Sequence, residues 1–302
     1  MALVSMSTLL RHALEHGYAV GYFESWNLES LLAVKDAAEQ AGSPVIIGFN
    51  GGFLGKRDRR VSENIHVYGG LGRAVAEQAA VPMSFILNEA AEPSLLMEGL
   101  AAGFNVVMHD HEGCTLEQSI AINASLVREA HAAGAEVEAE MGELPAGRSD
   151  APVVSEGRKT DPQEAAQFVR ETGVDALAVA VGNVHVLEGR KSHLDFPLLS
   201  MLRAAIQVPL VLHGGTGLDE NELREAIKQG ICKINVGTVL RRTYINALKA
   251  YFAEHDVDGL DPGEVTSTGG KLDMLARARA EVAAEIVRLM QIFGSAGKAR
   301  LR

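Results

Sequence analysis

The sequence predicts a single (β/α)8 barrel over residues 1–302, extended by a helix at its C-terminus. Three observations lead to this fold class. Eight short apolar runs recur along the chain, stretches with helical patterning separate them, and 47% of the residues are hydrophobic, which is enough for one large core. Since no low-complexity tract or change of composition marks a linker, we expect one domain rather than two.

The eight apolar runs are expected to form the barrel strands, because strands covered on both faces are nearly continuous in hydrophobicity. In chain order they are YAVGYF (18–23), PVIIGF (44–49), PMSFIL (82–87), NVVMHD (105–110), EVEAEM (136–141), ALAVAVG (176–182), PLVLHG (209–214) and CKINVG (232–237). Amphipathic stretches separate them, such as the one that opens with a capping box from Thr115 to Gln118. Eight strand-helix units of this kind close into a barrel.

A last apolar stripe predicts the C-terminal helix, at about residues 271–296. Its members recur at helical spacing and are Leu275, Ala278, Val282, Ile286, Leu289 and Phe293. We expect this helix to pack on the core or to form a subunit contact.

Charge and cysteine usage exclude several kinds of partner. The net charge of −11 argues against nucleic acid and against a membrane surface, because binding a polyanion needs a basic face. Cys114 and Cys232 form no disulfide framework, which fits a reducing compartment. Arg11, His12 and Glu15 interrupt the apolar N-terminus before a signal-peptide core forms, and no run reaches membrane-spanning length. We therefore expect a cytoplasmic protein.

Polar side chains gather at the predicted C-terminal ends of the strands, where barrels of this kind carry their chemistry. They are Asn88 and Glu89 after strand 3, Asp110, His111 and Glu112 after strand 4, Glu138 and Glu140 on strand 5, His185 after strand 6 and His213 on strand 7. A lone histidine at such a place is often structural, and an Asn-Glu pair is often a surface turn. If Glu89, His185 and His213 all point at the barrel mouth, they make a set of ligands typical of a catalytic divalent metal.

Glycine-rich turns follow the last two predicted strands, GGTG at 214–217 and NVGT at 235–238. Loops in these two places hold phosphate in many barrels, through backbone N–H groups and a helix N-terminus. The loop after strand 2 is basic and contains Lys56, Arg57, Arg59 and Arg60. Arg57 and Arg59 are predicted to recognise a second anionic group, although a solvated charged loop explains the same composition.

Four segments are specific enough to compare with a known family. They are DALAVAVGNVH (175–185), LDF (194–196), VPLVLHGGTGL (208–218) and GICKINVGT (230–238). In this combination they resemble the class II, metal-dependent ketose-bisphosphate aldolases, which act on fructose or tagatose bisphosphates. Weaker matches extend the resemblance over roughly residues 8–250. It implies a (β/α)8 barrel, a homodimer or homotetramer, and a divalent ion, zinc above all, that polarises a ketone and stabilises the enediolate formed on C–C cleavage.

The resemblance also implies roles for individual residues. His185 and His213 match two of the family's three histidine ligands, and Asp110 and Glu140 match carboxylates that support the metal site. The phosphate-binding positions fall on Gly214, Gly215, Thr216, Asn235, Gly237 and Thr238.

The proton-transfer residues depart from the family pattern. Where members carry Asp-His-Gly, this chain has Asn88, Glu89 and Ala90. Asparagine cannot take up a proton near neutral pH, so Asn88 is predicted to hold a substrate hydroxyl while Glu89 replaces a ligand histidine. The nearest titratable candidates for proton transfer are His109, His111 and Glu112, with Glu24 less favoured. Strict alternation along strand 4 places His109 outward, and histidine titrates near neutrality, so His111 is our preferred proton-transfer group.

Three functions stay open on this reading. The first is a metal-dependent aldolase acting on a phosphorylated ketose with altered acid/base residues. The second is an isomerase or epimerase on the same scaffold, and the third is a catalytically silent protein that binds a sugar phosphate.

Overall fold

Eight parallel strands, hydrogen-bonded in chain order, close into a barrel in the computed structural model, which describes residues 2–56, 58–143, 157–184 and 193–301. The strands are β1 (Val20–Ser25), β2 (Val45–Asn50), β3 (Met83–Ala90), β4 (Val106–His109), β5 (Glu136–Met141), β6 (Ala176–Val179), β7 (Leu210–Leu212) and β8 (Ile231–Val236). The predicted fold class is confirmed, and every strand overlaps the apolar run that predicted it.

Helices connect the strands and cover the outside of the barrel. They are α1 (Met6–His16), α2 (Leu28–Ala41), α3 (Gly51–Leu54), α4 (Ile65–Gln78), α5 (Pro93–Ala102), α6 (Leu116–Ala132), α7 (Pro162–Thr172), α8 (Phe196–Ala205), α9 (Glu220–Lys228), α10 (Thr238–Glu254), α11 (Pro262–Thr266) and α12 (Met274–Phe293), with 3-10 turns at Gly215–Gly217 and Val257–Gly259. The capping box predicted from Thr115 to Gln118 begins α6. Within the described ranges, no helix combines the length and apolarity needed to cross a membrane.

Two apolar layers surround the strands. The inner layer fills the barrel with residues such as Tyr22, Ile86 and Met108, and it continues into Leu9 and Leu10 of α1. Because α1 covers this layer at the N-terminal end of the barrel, that end is closed by apolar packing. The polar residues are left at the opposite, C-terminal end of the strands.

The C-terminal helix α12 belongs to the outer layer. Residues of its apolar stripe, such as Val282 and Ile286, are buried. The ring of Phe293 stacks on the ring of Phe23 in β1, with the ring centroids 6.3 Å apart. Asp273 caps the helix by accepting hydrogen bonds from backbone N–H groups of its first turn. The stripe predicted from the sequence is therefore core packing.

Strand β3 continues three residues beyond its predicted apolar run. Leu87 pairs with Val107 and Ala90 with His109, so β3 carries one extra residue and forms a β-bulge. Glu89 lies in this bulge with a φ of 53°, the one positive φ of a residue other than glycine in the described part of the chain. A bulge changes the direction in which a side chain points, and here the side chain is that of Glu89, a predicted metal ligand.

Candidate active site

His213, directly after β7, is fully buried at the C-terminal end of the barrel. Its Nε2 lies 3.1 Å from Oε1 of Glu138, and its Nδ1 lies 3.5 Å from Oε1 of Glu89 and 3.5 Å from Oε1 of Glu140. Burial alone would lower the pKa of His213, but Glu140, Glu138 and Glu89 together outweigh burial and raise it. The ring therefore lies between carboxylates on both of its nitrogen sides.

Glu89 is held by a second contact on the side away from the histidine. Its Oε2 accepts a hydrogen bond of 2.8 Å from Nδ2 of Asn50, the last residue of β2. Asn50 uses its Oδ1 to accept from the backbone N–H of Phe53 and so caps α3, which leaves its amide N–H groups for the carboxylate. Oε1 of Glu89 consequently faces His213.

Two atoms of this arrangement, Nδ1 of His213 and Oε1 of Glu89, have the separation of neighbouring ligands on one divalent metal ion. Two ligands of one tetrahedral zinc ion, with bonds of 2.0–2.2 Å, lie about 3.4 Å apart. Nδ1 of His213 and Oε1 of Glu89 have nearly this separation, and Oε1 of Glu140 is buried beside them without a hydrogen-bond partner among the described residues. Those residues contain no complete group of three metal ligands, and the third predicted ligand, His185, lies outside them.

Glu24, near the end of β1, lies on the other side of Asn50. Nδ2 of Asn50 is 3.4 Å from Oε2 of Glu24, so one amide group contacts both Glu24 and Glu89. Arg241 of α10 donates from Nε to Oε1 of Glu24 at 3.0 Å. Burial raises the pKa of Glu24 and Glu89 adds to this, whereas Arg241 opposes it. The structure thus connects Glu24, the less favoured proton-transfer group, to the predicted ligand Glu89.

A buried lysine in the barrel interior was not among the predicted site residues. Lys233 of β8 is completely buried, and its Nζ donates to Oε1 of Glu138 at 2.8 Å and to Oδ1 of Asn235 at 2.6 Å. It also lies 5.1 Å from the centre of the Tyr22 ring. The signal was available in the sequence, since Lys233 precedes Asn235 by two residues in an apolar strand and therefore shares its face.

The other predicted catalytic residues, Asn88, Asp110 and His111, lie near or just beyond the ends of β3 and β4. Asn88 is buried, and its Oδ1 has no partner among the described residues. Oδ1 of Asp110 accepts from the backbone N–H of Glu112 at 3.0 Å. Nε2 of His111 lies 3.4 Å from the carbonyl oxygen of Gly142, beyond β5. The catalytic roles of these three residues stay predictions.

The two predicted anion-binding loops follow β7 and β8 as expected. Gly214 has a φ of 67°, and the 3-10 turn that includes Thr216 begins directly after it. After β8, Gly237 precedes the first residue of α10, Thr238, and no side chain caps this helix. The start of α10 therefore keeps backbone N–H groups that no capping side chain satisfies.

The basic loop after β2 is only partly described. The guanidinium group of Arg59 donates to the carbonyl oxygens of Phe53 and Val61, each at 3.0 Å, and forms an ion pair with Glu63. These contacts hold the loop together. Arg57, the other residue predicted to recognise a second anion, lies outside the described residues.

Known proteins resemble this chain over nearly its whole length. Residues 4–298 match the family of class II fructose-bisphosphate aldolases. The Escherichia coli K12 protein YdjI, described as uncharacterized, is 35% identical over 232 residues, which cover 77% of this chain and 81% of YdjI. In a structural comparison, the crystal structure of the YdjI aldolase matches with a TM-score of 0.80 and 30% identity and covers 99% of this chain and 100% of YdjI.

A fructose-bisphosphate aldolase from Campylobacter jejuni shows the same fold at 19% identity, with a TM-score of 0.78, and covers 98% of this chain and 97% of the aldolase. The match over residues 4–298 and the identity with YdjI are enough to assign the family. The chain belongs to the class II fructose-bisphosphate aldolase family.

Proposed function

We propose that the protein is a metal-dependent aldolase that cleaves or forms a C–C bond in a phosphorylated ketose. The observation that carries the proposal is the convergence of Glu89 and His213, 3.5 Å apart, at the catalytic end of a barrel of the aldolase family. Together with His185 they would hold a divalent ion, zinc by preference. Such an ion supplies Lewis-acid polarisation of a substrate carbonyl.

The carboxylate of Glu89 changes the electrostatics of this site. Replacing a neutral imidazole ligand by a carboxylate lowers the net charge of the ligand set by one, and Glu140 adds a second negative charge on the same side of His213. Polarisation of the carbonyl is weaker as a result, so the protein has to contribute more through positioning and proton transfer.

Asn88 holds the substrate without exchanging a proton in this proposal. Its buried Oδ1 can accept a hydrogen bond from a substrate hydroxyl, and its amide group can donate one, but an amide has no proton equilibrium near neutral pH. The proton must then move through another side chain. His111 is the first candidate, and Glu24 is the second because Asn50 connects it to Glu89.

Substitution of His111 tests the proton-transfer assignment. General acid–base catalysis contributes about 10²–10⁴-fold to a rate, so His111→Gln should lower turnover by at least about 100-fold. The matched variant Glu24→Gln should keep turnover within about 10-fold of wild type. If His111→Gln keeps wild-type turnover and Glu24→Gln loses it, proton transfer belongs to Glu24.

The substrate phosphate is proposed to bind between the turn after β7 and the start of α10. Thr216 lies in that turn, Asn235 near the end of β8 and Thr238 at the start of α10, and backbone N–H groups at a helix start attract an anion. A cavity of about 230 Å³ lies beside Asn50 and is lined by aromatic rings and two arginines, Arg59 and Arg241. It is the proposed place for the other end of the ketose.

An isomerase or epimerase is the second candidate function. Asn88 favours it, since a residue that cannot deprotonate the substrate hydroxyl does not promote cleavage.

We further propose a homodimer or homotetramer, which light scattering tests directly.

Metal analysis followed by a substrate screen separates these functions. Purified protein is assayed for zinc content and then offered ketose monophosphates and bisphosphates. Zinc near one equivalent with aldehyde release supports the aldolase. Zinc with isomer exchange and no aldehyde favours the isomerase, and tight sugar-phosphate binding without any turnover leaves a binding protein.

A further inference from the structure

Lys233 is the one charged residue of β8, and it lies inside the barrel beneath the candidate active site. Its side chain is fully buried, as is the side chain of Glu138, to which it donates at 2.8 Å. A buried charge pair of this kind does not by itself stabilise a fold, because desolvation offsets the attraction between the charges. The role of the pair therefore depends on the other residues that Lys233 and Glu138 contact.

One contact leads to His213. Oε1 of Glu138 lies 2.8 Å from Nζ of Lys233 and 3.1 Å from Nε2 of His213. A carboxylate only accepts hydrogen bonds, so the proton of a neutral imidazole ring has to be on Nε2. Nδ1 then carries the lone pair, on the side where Glu89 and Glu140 lie. By holding Glu138, Lys233 favours the tautomer of His213 whose lone pair is on Nδ1, the nitrogen that lies on the side of Glu89 and Glu140.

The other contact leads to Asn235. Nζ of Lys233 donates to Oδ1 of Asn235 at 2.6 Å, which places the amide oxygen toward the lysine. Nδ2 is then the free end of the amide, and it is buried without a hydrogen-bond partner among the described residues. A buried donor without a partner costs free energy, and a substrate oxygen at that place would remove the cost.

We propose, resting on the function proposed above, that Lys233 is a positioning residue that orients two parts of the active site at once. Through Glu138 it presents Nδ1 of His213 to the metal ion. Through Asn235 it presents an amide N–H group to the substrate phosphate. One buried side chain thereby couples the metal site to the anion site.

Charge-neutral double variants test this role without leaving a buried charge alone. Lys233→Met with Glu138→Gln removes the pair and every donor at position 233, and Lys233→Gln with Glu138→Gln removes the same charges but keeps a donor. Replacing a buried ion pair by neutral residues of similar volume is often tolerated, and circular dichroism and thermal unfolding confirm the fold. Zinc affinity is measured by competition with a chelator, and affinity for inorganic phosphate by calorimetry.

Both double variants should bind zinc about 10- to 100-fold more weakly, the usual effect of losing a partner of a ligand histidine. Phosphate should bind about 5-fold more weakly to the methionine variant, the effect of about one hydrogen bond, and within about 2-fold of wild type in the glutamine variant. Glu138→Gln alone should weaken the binding of zinc but not of phosphate. Asn235→Ala should weaken the binding of phosphate but not of zinc. Lys228→Met, on the surface of α9, should change neither affinity.

Wild-type affinity for zinc and phosphate in the folded methionine variant contradicts the role of Lys233 and leaves the proposed function intact. Equal phosphate affinity in the methionine and glutamine variants contradicts the link to Asn235. A wild-type protein that binds neither zinc nor phosphate overturns the proposed function and the role of Lys233 together.

Discussion

Glu89 has a backbone conformation that residues other than glycine rarely adopt, with a φ of 53° in the bulge of β3. Such a conformation costs about 1–3 kcal/mol and persists only where surrounding contacts maintain it. Here the pairing of Ala90 with His109 fixes the strand beyond the bulge, and Asn50 holds the carboxylate. The strain is therefore located at the residue that we propose as a metal ligand.

Two substitutions separate the strain at Glu89 from its chemistry. Glu89→Ala and Glu89→Gly both remove the carboxylate, but only glycine accepts a positive φ without cost. The glycine variant should be more stable than the alanine variant by about 1 kcal/mol in urea unfolding of the metal-free proteins. Both should bind zinc more weakly than wild type. Equal stability of the two variants would show that the backbone at Glu89 is not strained.

At the scale of single elements, α12 depends on its N-terminal cap. Asp273 is nearly buried, and its Oδ1 accepts hydrogen bonds from the backbone N–H groups of Leu275 and Ala276, while its Oδ2 accepts from that of Gly269. Burial raises the pKa of Asp273, but these three hydrogen bonds outweigh burial and lower it. The cap thus favours the ionised carboxylate and connects α12 to the loop before it.

The cap makes stability depend on pH in a defined direction. Because the folded-state pKa is lowered, the contribution of Asp273 is fully present above the unfolded-state pKa of about 3.9 and is lost as the pH falls through the folded value. Asp273→Ala should cost about 1–2 kcal/mol of unfolding free energy at neutral pH. Asp273→Asn, which caps without titrating, should lose less stability than wild type as the pH falls below about 4. Parallel pH profiles for the wild type and the asparagine variant would contradict this assignment.

At the scale of the whole molecule, the barrel could be predicted because its signal repeats eight times and each apolar run supports the same topology. The end of β3 could not be predicted, because Asn88 and Glu89 interrupt the apolar pattern. At the barrel mouth a strand can continue through polar residues, so the pattern stops before the strand does. The approach of Glu89 to His213 followed from the rule that strand ends meet at one rim. The pair of Lys233 and Glu138 did not follow, because its members lie 95 residues apart and Glu138 is one of three glutamates in β5, so the pattern does not mark it as the partner of the lysine.

A metal ion held between strands should stabilise the entire barrel. Zinc that binds only the folded protein adds about 2.7 kcal/mol to the unfolding free energy at a concentration 100 times its dissociation constant. We therefore expect the melting temperature to rise on adding zinc and to fall on adding a chelator. His213→Ala should remove this dependence, whereas His66→Ala in α4 should keep it. An unchanged zinc response in His213→Ala would place the metal elsewhere.

In the proposed function, Glu89 and His213 hold the ion on which aldol cleavage depends. Aldehyde release from a ketose phosphate is therefore measured before chelation, after chelation, and during titration with zinc, in wild type and in Glu89→Gln. We expect wild-type activity to be lost and then fully restored, and Glu89→Gln to need at least about 10-fold more zinc for its own half-maximal activity. Activity that survives chelation, or the same zinc requirement in both proteins, would show that Glu89 does not hold a catalytic ion.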